Sequence, residues 1–85
     1  MVIHSFYLPH EEADRIESAV RRGIRAETAP KLGSVDIVPA HHDNRTIEVS
    51  FSIPALGEYR TLKFCKDEQS SEEIEQRVRE RLADL

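Results

Sequence analysis

Cysteine occurs once in this chain, at Cys65, so no intrachain disulfide can form and a reducing compartment is the simpler expectation. Lys63 lies two residues away, on the same predicted strand face, and a nearby ammonium favours a thiolate. A single cysteine with no assigned base is nevertheless ordinarily a small, partly buried hydrophobe. Glycine occurs three times, too scattered to form a phosphate-cradling loop. No apolar run approaches the ~20 residues that cross a bilayer. The opening "MVIHSFYLPHEE" has neither a basic n-region nor a long apolar h-region and does not read as a signal peptide. A cytoplasmic protein without a membrane partner is the expectation. HExxH and paired CxxC patterns are missing, and Ser50 and Ser52 have no nucleophile-elbow context. The chain therefore reads as non-enzymatic and without a cofactor.

An excess of positive charge is missing too. The formal net charge is −4. Residues 1–66 carry nine acids and nine bases, whereas residues 67–85 carry seven acids against three bases. The negative excess sits wholly in the last segment, and general attraction to nucleic acid or anionic membrane is not expected.

What is present is periodicity. The 85 residues allow a single small domain, 1–85, that buries about 60–65% of its unfolded surface. Val2 to Leu8, "VIHSFYL", reads as a strand, with Val2, His4, Phe6 and Leu8 on one side and Ile3, Ser5 and Tyr7 on the other. Pro9 fits the first turn of a helix. Ala13, Ile16, Ala19, Val20 and Ile24 then form one stripe, and Glu11–Arg15 and Glu17–Arg21 are spaced as supporting ion pairs. Pro30 is expected to end this helix, with Gly33 helping the chain turn. "SVDIVP" is a short strand. "RTIEVSFSI" alternates cleanly, with Ile47, Val49, Phe51 and Ile53 on one face. After the turn "PALGE", "EYRTLKFCK" returns with Leu62 and Phe64 inward. Ser70 and Glu73 make a capping box before a last helix striped by Ile74, Val78 and Leu82. The sum is a two-layer α+β fold of β-α-β-β-β-α order, with a mostly antiparallel sheet and both helices on one face.

Three places carry functional expectations. The uncovered sheet face would present Asp36, Val38, Thr46, Glu48, Ser50, Ser52, Tyr59, Thr61, Lys63 and Cys65. Its centre is small and weakly polar, a composition on which a second copy or another protein can pack. The leading expectation is thus a protein–protein interaction module, self-associating as a homodimer through this face or an edge strand, with Thr46, Glu48, Ser50, Ser52, Tyr59, Thr61 and Lys63 as contact residues. The acidic last helix offers an alternative: Glu72, Glu73 and Glu75 would imitate phosphate, as in a phage-type inhibitor of a nucleic-acid-handling complex. The third place is His41-His42-Asp43, a weaker candidate for metal binding. Adjacent residues on a strand point apart, and Asp43-Asn44 are turn formers, so a plain turn is the stronger reading of them. The α-β-β-β-α order from the first helix onward resembles that of double-stranded-RNA-binding domains. Those grip phosphate with basic residues at the start of the last helix, where this chain has "SSEEIEQ", so direct RNA binding is not expected.

Overall fold

Strict alternation makes the longest run of buried side chains in the sheet. In the computed structural model, which describes residues 1–40 and 45–85, the strand β3 spans Thr46–Ile53. Its Ile47, Val49, Phe51 and Ile53 are fully buried, while Thr46, Glu48, Ser50 and Ser52 are half-buried. β3 pairs antiparallel with β2 (Ser34–Pro39) on one side and with β4 (Glu58–Cys65) on the other. β1 (Val2–Ser5) pairs with β2 in parallel, which gives one four-stranded sheet of order β1-β2-β3-β4. Parallel neighbours need a crossover connection, and helix α1 (His10–Gly23) supplies it. Helix α2 (Ser71–Arg81) follows β4 and completes the expected β-α-β-β-β-α order.

Both helices lie on the face of the sheet that carries Val35, Ile37, Val49, Phe51, Leu62 and Phe64. Ile16, Ala19 and Val20 of α1 and Ile74 and Val78 of α2 fill the space between. α1 stops at Gly23, short of the expected end at Pro30. Its last residue lies at the crossing with α2. A Cβ on Gly23 would stand 2.6 Å from the Glu75 carbonyl oxygen and 2.8 Å from Val78 Cβ, so only glycine lets the two helices meet this closely. Ile24 then turns extended and is buried in the core. Pro30 lies beyond, inside a short 3-10 turn at Ala29–Lys31.

The start of α1 also differs from expectation. Pro9 is the N-cap rather than the first helical residue, with its carbonyl accepting from Ala13 N–H at 2.9 Å. Arg15 does not pair with Glu11; its Nη2 donates to the Lys66 carbonyl at 3.2 Å. Glu17 accepts a hydrogen bond from Ser5 Oγ at 2.7 Å, which fastens α1 to β1. In α2 the capping box forms as foreseen: Ser70 Oγ accepts from Glu73 N–H, and Glu73 Oε1 accepts from Ser70 N–H. Among the described residues no helix is long and apolar enough to cross a membrane.

Candidate interaction face

The sheet has one covered face and one bare one, and register places the bare face's side chains in rows. His4, Asp36, Ser50 and Thr61 lie side by side across the four strands. The next row holds Val38, Glu48 and Lys63, and Ser52 stands beside Tyr59. Thr46 and Cys65 form another pair. All seven of the expected contact residues therefore share this face. Thr46, Glu48, Ser50 and Ser52 are half-buried within it, and Tyr59, Thr61 and Lys63 on β4 are exposed.

The sequence reading left β1 out of the face. Val2 and His4 belong to it, and so does Phe6, whose ring centroid is 5.9 Å from that of His4. Val2 is 54% exposed, Phe6 44% and Tyr59 75%, so apolar side chains mark both lateral margins. The alternation of "VIHSF" was visible, but both phases contain an apolar residue, Val2 and Phe6 against Ile3. Parallel pairing with β2 decides between them and turns Ile3 toward the helices. Leu8 does not stay in phase with Phe6. Tyr7 adopts a left-handed backbone (φ 61°), the chain swings round, and Leu8 packs on the core instead.

Each carboxylate on the face has a basic side chain as its cross-strand neighbour. Glu48 stands opposite Lys63 in register. His4 Nδ1 lies 3.6 Å from Asp36 Oδ1, with the two side chains 53% and 46% exposed. Opposite charges directly across a sheet favour each other by a few tenths of a kcal/mol to about 1 kcal/mol.

The two edges beside the face are guarded. β1 offers only four residues. β4 is longer, but Arg81 of α2 reaches over and its Nε donates to the Thr61 carbonyl at 3.1 Å. Beneath that contact Arg60, at a position of β4 that faces the helices, bonds the Arg81 carbonyl at 3.1 Å, Glu58 Oε1 at 2.9 Å and both carboxylate oxygens of Asp84. The Arg60 hydrogen bonds hold the Asp84 carboxyl below the ordinary aspartate range. Asp84 and then Glu58 hold the Arg60 guanidinium more firmly protonated than usual. The expected site list missed Arg60, although a charged residue in the apolar phase of a strand was the available signal.

Two of the three acids expected to imitate phosphate have partners within the fold. Glu73 closes the capping box, and Glu75 accepts from Arg22 at 3.3 Å and from Arg79 at 3.2 Å. Glu72 is exposed. The third expected place, His41-His42-Asp43, lies outside the described residues. Among those that are described, no group of three or more His, Cys, Asp or Glu side chains could hold a metal ion. A cleft of about 350 Å³ between Tyr7, Leu8, Pro9, Pro39 and Lys66 opens beside the start of α1. Its ammonium is already bound, since Lys66 Nζ contacts both oxygens of Glu12 at 3.0 and 2.9 Å. No known protein family, curated protein or solved structure matches the chain.

Proposed function

We propose that this chain is a protein–protein interaction module that self-associates through the bare face of its sheet. The observation that carries the reading is the paired charge pattern of that face. Glu48 opposite Lys63 and His4 beside Asp36 leave the face at most one net negative charge, little to repel an identical surface. Between them lie half-buried serine and threonine, and Val2, Phe6 and Tyr59 form an apolar margin. A second copy is the occupant this pattern suits. A face of either sign alone would call for an oppositely charged partner. Edge-to-edge pairing is the poorer route, because Arg81 occupies the Thr61 carbonyl and β1 is short.

The size of the face sets the expected strength. Strands spaced about 4.8 Å apart and rising about 3.3 Å per residue, with four, six, eight and eight residues, make a face of about 400 Å². Twice that area belongs with weak, transient interfaces, so a dissociation constant in the micromolar range or weaker is expected. Sedimentation velocity from about 1 to 500 μM spans that range. A reversible dimer is expected, weakened at least about tenfold by Ser50→Arg, which sets a cation at the centre of the face. A monomer throughout would overturn the reading, and so would a dimer indifferent to Ser50→Arg.

A further inference from the structure

We propose that self-association through this face takes up protons at His4. This rests on the preceding reading and adds to it a dependence on pH. The charged side chains on the face are few. Asp36 on β2 and Glu48 on β3 are carboxylates, Lys63 on β4 is an ammonium, and His4 on β1 is the remaining titratable neighbour in the row of Asp36. The helices pack on the opposite face and bring no charge to His4. On β1 itself the nearest groups are the Phe6 ring and the Met1 amino group at the strand's start. With a neutral imidazole the described residues of the face carry one uncompensated negative charge, because Lys63 is the register neighbour of Glu48 while Asp36 has only His4 and Ser50 beside it. With a protonated imidazole both carboxylates have a cation as a register neighbour.

Burial makes the difference matter. In the free chain Asp36 is 46% exposed and water solvates its charge. Covered by a second copy, it loses that solvent, and an unpaired carboxylate in a closing interface is costly. A proton on His4 supplies the missing partner without moving any backbone, since Nδ1 already stands 3.6 Å from Oδ1. Imidazole is the side chain whose charge ordinarily changes between pH 5 and 8. The sign follows: closing the face favours the protonated imidazole, so the added affinity is present at acid pH and is lost as pH rises. Two protomers contribute one proton each, and each linked proton changes the dimerisation constant by up to about tenfold per pH unit.

The test is sedimentation velocity of the full chain at pH 5.5 and pH 8.0 at one ionic strength. Wild type should dimerise at least about tenfold more tightly at pH 5.5. His4→Gln should be weak and nearly flat with pH. Asp36→Asn, which has no carboxylate to neutralise, should be tight and flat. His10→Gln, His41→Gln and His42→Gln should each keep the wild-type dependence. A wild type monomeric at both pH values overturns the dimer and the proton linkage together. A wild-type dimer of pH-independent affinity removes the linkage and leaves the dimer standing. A pH dependence that survives His4→Gln or Asp36→Asn, in variants shown folded by circular dichroism, assigns the protons elsewhere and overturns the proposal.

Discussion

Arg60 occupies a position where the alternation of β4 calls for an apolar side chain, between Glu58 on one side and Leu62 and Phe64 on the other. Its aliphatic stem lies against the helix layer while its guanidinium reaches Glu58 and Asp84, so only 12% of the side chain stays exposed. That a charged residue breaks the phase was legible in the sequence. Its partner was not, because Asp84 meets Arg60 only when α2 returns along β4. The pair has a consequence for acid stability. Asp84 is held below the usual carboxylate range, so its contribution is complete above the unfolded value, about 3.9, and fades as pH falls through the lower folded one. Asp84→Asn should lower the melting temperature at pH 7 and flatten its fall between about pH 5 and pH 2.5. Equal acid sensitivity in both proteins would show that other carboxylates govern the acid limb. Two other single residues share one backbone shape for different reasons. Gly57 turns the β3–β4 connection at φ 61°, where a side chain would meet open space but a strained backbone. Tyr7 takes the same φ with a side chain that is 92% exposed, so no burial of its ring offsets the strain.

Among the elements, α1 shows how far periodicity reaches. Its stripe of Ala13, Ile16, Ala19 and Val20 is buried as the spacing requires. Its end was misplaced because a proline at position 30 is a strong local signal, while the helix stops at Gly23, where α2 crosses closely and Ile24 turns extended. Gly23→Ala tests that close crossing. Alanine is favoured over glycine in a helix by about 1 kcal/mol, but here the added methyl meets backbone and a branched side chain under 3.0 Å away. A net loss of about 1–2 kcal/mol in urea unfolding is expected. A gain in stability would mean that the helices separate freely at this point. β3 was fully legible, since its strict alternation tolerates one orientation only. β1 was not, because four residues with apolar side chains in both phases cannot choose a face by themselves. The capping box at Ser70 and Glu73 was legible for the opposite reason, being local in both sequence and space.

For the molecule as a whole, the guarded edges leave the face as the route for the proposed association. Arg81→Ala would leave the Thr61 carbonyl open on the free side of β4 and remove a cation that deters pairing. The variant should aggregate earlier on heating, followed by light scattering, with little change in far-ultraviolet circular dichroism at room temperature. An unchanged onset would show that the edge is closed by something other than Arg81. The parallel attachment of β1 has a kinetic side as well. β1 is four residues long and pairs along one edge only, with strand residues more than thirty positions later in the chain. Segments held in this way are the first to open, at a free energy well below that of global unfolding. When β1 lifts, Val2, His4 and Phe6 leave together while β2, β3 and β4 remain paired. The surface through which two copies would meet therefore includes a short edge strand held by β2 on one side and by the Ser5–Glu17 bond to α1. The lifetime of any contact made there is limited by how long β1 stays docked as well as by how well the surfaces fit.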